Sequence, residues 1–248
     1  MSVDQRVALV TGAGQGIGVE IARLLAESGA AVAINDAIPE RAEESAAAIQ
    51  AAGAQAAAAP GDVSQPEGAQ AIVAETERRL GPVDILVNNA GICVRGRTWE
   101  FAIEDWDRII AVNLRGAFLM CRAVVPGMMA RGWGRIINIS SVAGKMGGLL
   151  VSSAYAASKG GVLALTKSLA REVAGKGITV NAVCPATVAI GMSDQFTAEE
   201  QQWMAKSIPV GRLAEAREIA AAVAFLASDD AAFITGEAMD VNGGLLMD

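Results

Sequence analysis

Near its start the chain runs Val7-Ala8-Leu9-Val10, four apolar residues in a row, and passes at once into Thr11-Gly12-Ala13-Gly14-Gln15-Gly16-Ile17-Gly18. A short continuous apolar run bounded by glycines reads as a strand buried on both faces. From Ile17 to Glu27 the spacing becomes helical, with Ile21, Leu24 and Leu25 on one side and Glu20, Arg23 and Glu27 on the other. Such a strand needs a layer of helices over each of its faces. The opening segment alone therefore confines the chain to a layered α/β fold.

The same alternation continues. Ala31–Ile34 reads as a second strand. Pro39 opens a helix to about Ala52, with Gly53 beyond its end. Ala54–Ala59 is ambiguous by propensity and is assigned as a strand from its place in the order. The remaining pattern gives helix Pro66–Leu80, strand Val83–Val87, a helix from about Glu104 to Met129, and strand Arg135–Ile139. Then come helix Ala154–Ala174, strand Thr179–Val183, a helical stretch near Ala198–Ala205, helix Glu215–Ala227 and strand Ala238–Val241. Right-handed crossovers between apolar strands predict a Rossmann-type, doubly wound parallel sheet of about seven strands with helices on both faces. No linker or repeat interrupts it, so residues 1–248 are expected to form a single domain. With 52% hydrophobic and 19% charged residues, the chain can fill a large core.

Composition also limits the chemistry. There is no histidine, which excludes Ser-His-Asp and Cys-His nucleophile systems and imidazole metal sites. Cys93, Cys121 and Cys184 are too few for four-cysteine zinc ligation and lack paired spacing. They read as small buried hydrophobes in a reducing compartment, and no metal is expected. The net charge of −7 makes nucleic acid and anionic membrane surfaces poor partners. No signal peptide and no apolar run of ~20 residues is visible, so the expected location is the cytoplasm.

Three motifs carry chemistry. The glycines from Gly12 to Gly18 let backbone approach a pyrophosphate, whose charge meets free N–H groups at a helix start. Asp36 ends the second strand, where a carboxylate accepts hydrogen bonds from ribose hydroxyls and repels a 2′-phosphate. Neither Ala37 nor Gln15 supplies a compensating cation, so NAD(H) is favoured over NADP(H). Tyr155, the single tyrosine, is followed by Lys159 one helical turn later. A cation about 4 Å from a phenol, at an effective dielectric of ~20, lowers the phenol pKa by roughly 3 units from ~10. That places a proton shuttle near neutrality.

Together these motifs resemble the short-chain dehydrogenase/reductases, in the branch of about 250 residues. The likeness covers nearly the whole chain. It includes Thr11–Gly18, Asp62-Val63, Asn88-Asn89-Ala90-Gly91, Asn113, Ser140-Ser141, Tyr155 with Lys159, Pro185, and Asp240-Val241-Asn242-Gly243-Gly244. The resemblance implies that Tyr155 is the general acid/base and that Lys159 binds the nicotinamide ribose and lowers the phenol pKa. Ser141 would hold the substrate oxygen, and Asn113 a water in a relay to Lys159. The dinucleotide would lie on Gly12, Gln15, Gly16, Ile17, Gly18 and Asp36, with Asp62 and Val63 about the adenine. Asn89, Ala90 and Gly91 would support its adenosine half, and Pro185 and Val188 would meet the carboxamide. Three positions depart from the family pattern. Ala186 replaces a glycine, Ile190 replaces a threonine, and the interval from Ser141 to Tyr155 is one residue longer than is frequent. Either Ser140 or Ser141 therefore meets the spacing, and Ser141 is preferred.

The implied function is an NAD-dependent oxidoreductase that interconverts a secondary alcohol and a ketone. The alternative is a 3-oxoacyl thioester reductase, which Asp36 and the net charge argue against. A third reading is a non-catalytic NAD-binding regulator. Val94, Met146, Leu150, Val151 and Met192 form the expected substrate pocket, with a lid near 189–210, and the substrate is expected to be a moderately apolar alcohol or ketone. Arg95, Arg97 and Lys145 either steer an anionic substrate or form a solvated face. The resemblance further implies a homotetramer built on the 104–129 and 154–174 helices.

Overall fold

A computed structural model describes residues 2–148, 150–191 and 195–247. Val7–Val10 forms β1, with all four side chains buried. Ala8 and Val10 point into one core and Leu9 into the other, which is the two-faced burial the apolar run implies. The further strands are β2 (Ala31–Ile34), β3 (Ala56–Ala58), β4 (Ile85–Asn88), β5 (Gly134–Ile139), β6 (Ile178–Pro185) and β7 (Ala238–Val241). All pairings are parallel, and the sheet order is 3-2-1-4-5-6-7. The chain is thus a seven-stranded, Rossmann-like α/β single domain. The order reverses between β1 and β4, and open α/β sheets bind ligands outside the strand carboxyl ends at such a point.

The helices are α1 (Gly16–Glu27), α2 (Pro39–Ala51), α3 (Pro66–Leu80), α4 (Ile103–Ile110), α5 (Gly116–Arg131) and α6 (Ala143–Met146). They continue with α7 (Ser153–Val173), α8 (Ala198–Ser207) and α9 (Ala216–Ala227). On one face Ile21 and Leu25 of α1, Ile49 of α2, and Ile219 and Val223 of α9 pack in one buried cluster with Ala8, Val10 and Ile34. On the other, Ile72 of α3, Met120, Val124 and Met128 of α5 and Val173 of α7 pack in a cluster with Leu9, Leu86 and Ile136. Each large apolar side chain buried this way contributes about 1.5–3 kcal/mol.

Most boundaries fall within two residues of the expected ones, and the exceptions have physical causes. The ambiguous Ala54–Ala59 stretch narrows to Ala56–Ala58, three alanines held in register with Val32–Ile34. Pairing with β2 overrides alanine's helix propensity there. The helix expected from Glu104 to Met129 is opened by a π-turn over Ala111–Arg115, so that it becomes α4 and α5. The whole stretch Ile103–Arg131 has the length and hydropathy to cross a membrane. Its Met120, Val124 and Met128 are instead spent on the sheet core. Strand β6 runs on to Pro185, and α6 follows β5 where only a loop was expected.

Candidate active site

The carboxyl ends of β1, β4, β5 and β6 converge on one crevice. The glycine turn between β1 and α1 forms its floor. Gly12 has φ +60°, and a Cβ added there would lie 2.8 Å from Ala90 Cα. A Cβ on Gly18 would meet the Gly12 carbonyl and approach Asn89 Nδ2 to 2.6 Å. Glycine is therefore required at both positions for the turn to sit against β4. Asn89 pins the arrangement by donating from Nδ2 to the Thr11 and Gly12 carbonyls, both at 2.9 Å. The Asn89 and Ala90 amides in turn donate to Thr11 Oγ1.

Helix α1 begins without a side-chain cap on Gln15 and without an acidic residue in its first turn. Its first N–H groups, together with the glycines, leave a cradle of positive backbone dipole. Space beside Gly16 is open, with nothing within 4 Å of where a Cβ would be. This cradle fits the pyrophosphate of a dinucleotide. Ile17 is half-buried at the start of α1. Val63 is buried between β3 and α3, while Asp62 is exposed and accepts from the Ser64 amide at 2.8 Å.

Tyr155 and Lys159 both lie in the buried face of α7. Ser152 caps that helix, and its Oγ accepts from the Tyr155 amide. The Tyr155 side chain hydrogen-bonds Ser141. Lys159 Nζ lies 5.7 Å from the phenol ring centre and donates to the Ile139 carbonyl at 2.7 Å. Ser140, the other serine allowed by spacing, turns away and donates from Oγ to the Lys159 carbonyl at 2.9 Å. Asn113 sits in the π-turn. Its Nδ2 donates to the Ile92 carbonyl at 3.0 Å and to Ser158 Oγ at 3.1 Å, and its Oδ1 accepts from the Ile92 amide at 2.8 Å. The side chain is thereby a clamp between the loop after β4 and α7. Gly91 lies beside it, with the site of its missing Cβ 3.4 Å from Asn113 Oδ1 and 3.5 Å from Lys159 Nζ.

The electrostatics differ from the sequence expectation. Burial, with a smaller contribution from Cys93, pushes the Tyr155 phenol up, and the Ser141 hydrogen bond only partly opposes this. Burial also pushes the Lys159 ammonium down to about 8. Desolvation dominates at both groups, so the phenol holds its proton at neutral pH.

Pro185 ends β6, and Ala186 donates its amide to the Val241 carbonyl at 3.3 Å. Val188 bridges Ala214 through the Thr187 carbonyl and the Ala189 amide, which leaves its own N–H and carbonyl on the opposite edge. Of the residues expected to form the substrate pocket, Val94, Leu150 and Val151 are half-buried, Met146 is exposed, as is Ile190, and Met192 lies outside the described residues.

Several partners were not visible in the sequence. Arg95 pairs with Glu200 of α8 at 2.5 Å and lies over the Phe196 ring, tying the loop after β4 to the helical segment beyond β6. The Cys93 thiol is half-buried at the same junction and bonds Gln195 and the Ser152 backbone. Lys145 pairs with Asp240 at 2.6 Å, and Arg97 lies over Trp99. All three loop cations therefore have protein partners.

The family model described as enoyl-(acyl carrier protein) reductase matches residues 12–246. Among curated proteins, the chain is 44% identical over 247 residues, the full length of both, to 3-oxoacyl-[acyl-carrier-protein] reductase FabG of Vibrio cholerae. Among solved structures, it superposes on a 3-oxoacyl-[acyl-carrier protein] reductase from Brucella melitensis with a TM-score of 0.95 and 36% identity, covering 100% of this chain and 93% of that one. A gluconate 5-dehydrogenase from Burkholderia cenocepacia, solved with NADP and tartrate, matches with a TM-score of 0.93 and 39% identity, over 98% and 96% of the two chains.

The NADP in that last structure overturns the expected preference for NAD. Asp36 itself is held by backbone. Its Oδ2 accepts from the Gly14 amide at 3.2 Å and its Oδ1 from the Ile38 amide at 3.0 Å. Each oxygen accepts one backbone hydrogen bond, which fixes the carboxylate in place and leaves each with a further lone pair.

Proposed function

The chain belongs to the short-chain dehydrogenase/reductase family of oxidoreductases, and from that premise we propose that it is an NADPH-dependent reductase of 3-oxoacyl thioesters carried on an acyl carrier protein. The observation that carries the reading is full-length likeness to 3-oxoacyl-[acyl-carrier-protein] reductases, set beside a phenol that burial keeps protonated. A carbonyl being reduced needs a proton donor, and Tyr155 is poised as one. The net charge of −7, which argued against an acidic carrier, is a global sum and does not determine the charge of a local docking patch.

The bound dinucleotide supplies the hydride that reduces the substrate carbonyl carbon. The cradle at Gly12, Gln15, Gly16, Ile17 and Gly18 holds its pyrophosphate. Asn89, Ala90 and Gly91 support the adenosine half, with Asp62 and Val63 about the adenine. The free N–H and carbonyl of Val188, next to Pro185, orient the carboxamide. Ser141 donates to the substrate oxygen, and Tyr155 gives that oxygen its proton. Lys159 binds the ribose and places a cation beside the phenol. Asn113 is a positioning residue that sets the distance between Ile92 and α7. Ser141 as a preorganised donor is worth about 3 kcal/mol in the transition state.

Val94, Leu150, Val151, Met146 and the segment 195–210 line the acyl end, with α8 as a lid. The three cysteines form no disulfide among the described residues, which fits a reducing compartment such as the cytoplasm. Exposed Trp106, Phe118 and Met129 on the α4–α5 rod support a homotetramer. A substrate panel tests the reading. Acetoacetyl thioesters should be reduced with NADPH at a far higher kcat/KM than polyols or aryl ketones. A preference for polyols or sugar acids would overturn it.

A further inference from the structure

The loop between β3 and α3 carries Asp62 and Val63, and its own hydrogen bonds leave one carbonyl for an outside donor. From the end of β2, buried Asn35 donates from Nδ2 to the Ala59 and Gly61 carbonyls, both at 3.0 Å. Asp62 closes the tip by accepting from the Ser64 amide. Helix α3 begins only at Pro66, with Gln65 as its N-cap. The Ser64 carbonyl lies before that cap and stays outside the helical ladder. Ser64 is buried, so this carbonyl needs a donor from another element.

Arg115 supplies it, from the last position of the π-turn. Its Nε and Nη2 both donate to the Ser64 carbonyl, at 3.1 and 2.6 Å. Hydrogen bonds from a charged donor are of the stronger kind. Among the described residues this guanidinium makes no ion pair, so its fork is directed at the loop rather than at a carboxylate. Gly116 follows and lets the loop sit against the start of α5. A Cβ added there would lie 3.0 Å from Val63 Cγ2 and 3.4 Å from the Val63 carbonyl oxygen. Loop and turn are thus joined at two consecutive residues. Asn113, two residues back in the same turn, reaches instead to Ile92 and Ser158.

We propose that Arg115 is a positioning residue for the adenosine half of the dinucleotide, which holds the 62–64 loop against the π-turn and so fixes the adenine seat. The proposal rests on the reading that the adenine of the cofactor lies at Asp62 and Val63. Without the guanidinium the Ser64 carbonyl loses its donor, and the loop relaxes away from Gly116 toward water. Val63, the residue before Ser64, moves with it. The groups at the proton-transfer end hang on Asn113, Ser141 and α7, and keep their own bonds.

The test combines equilibrium binding and steady-state turnover on the full-length protein. Dissociation constants for NADPH and 5′-AMP are measured by calorimetry for wild type, Arg115→Ala, Arg115→Lys and Gly116→Ala. The same preparations give kcat and the KM for an acetoacetyl thioester at saturating NADPH. Loss of the charge-assisted contact should weaken NADPH and 5′-AMP about tenfold in Arg115→Ala. Its kcat and thioester KM should stay within about 2-fold of wild type, a split that a general loss of structure does not produce. Arg115→Lys keeps a donor without the fork and should fall between. Gly116→Ala pushes Val63 from the other side and should weaken the same two ligands. If Arg115→Ala binds both ligands as wild type does, the proposal is overturned while the cofactor reading stands. Should that variant not fold, Arg115→Lys carries the same criterion. Equal losses in affinity, kcat and thioester KM would show a general structural role and also overturn it. If wild type binds neither NADPH nor 5′-AMP, the cofactor reading fails and the proposal with it.

Discussion

Tyr155 and Lys159 are buried together in α7, and burial acts on them in opposite directions. The phenol is held in its neutral, proton-bearing form, and the ammonium is held close to its point of deprotonation, at about 8. Reduction needs both groups protonated, so the sign is set: activity is present below the Lys159 pKa and lost above it. The kcat/KM for NADPH reports the free enzyme. It should be level below pH 8 and fall about tenfold per pH unit above it. A profile level to pH 10 would contradict the role given to Lys159. The same shift bears on stability. Lys159 binds its proton less tightly folded than unfolded, so its contribution to stability rises with pH between about 8 and its ordinary value of 10.5. The pair itself was legible in the sequence, because a single tyrosine had a lysine one turn away. Its electrostatics were not, because the sequence reading counted the neighbouring charge and left out the desolvation of both groups. The cofactor preference was misread for a similar reason. Asp36 was read by residue type and position alone, and the two amides that hold it come from segments whose placement the sequence does not display.

Strands and helices were legible wherever apolar spacing was strong, as at β1, α3 and β7. The π-turn was not, because an i to i+5 bond leaves no mark in hydrophobic periodicity. Asn113 is its visible consequence, and its clamp on both polar groups of Ile92 makes a stability prediction. Asn113→Ala leaves those groups unpaired and should cost about 1–3 kcal/mol in urea unfolding, along with a loss of turnover. An unchanged midpoint would show that the clamp contributes nothing to stability. The link from Arg95 to Glu200 was equally hidden, since its partners lie far apart in the chain. The pair is partly exposed, so breaking it should change global stability by less than about 1 kcal/mol. Its expected effect is on the lid instead. Arg95→Glu should raise the thioester KM, and the swap Arg95→Glu with Glu200→Arg should restore it. No change in KM for the single variant would remove α8 from the account of substrate capture.

The molecule as a whole is one sheet whose crevice gathers side chains from β1, β4, β5, β6 and α7, and its outer surface keeps an apolar stripe. Trp106, Phe118 and Met129 are exposed along a rod whose opposite face is core. Sedimentation should give a mass about four times that of the chain, and Phe118→Glu should shift the population to smaller species. A wild-type monomer at micromolar concentration would remove the tetramer. The absence of histidine, which excluded so much chemistry, leaves Tyr155 without a rival for the proton transfer. The most direct measurement is therefore NADPH oxidation driven by an acetoacetyl thioester, in wild type and Tyr155→Phe, with NADPH affinity measured on the same preparations. The account predicts that Tyr155→Phe binds NADPH as wild type does and loses about 10²- to 10⁴-fold in kcat. A variant that turns over at the wild-type rate would contradict it.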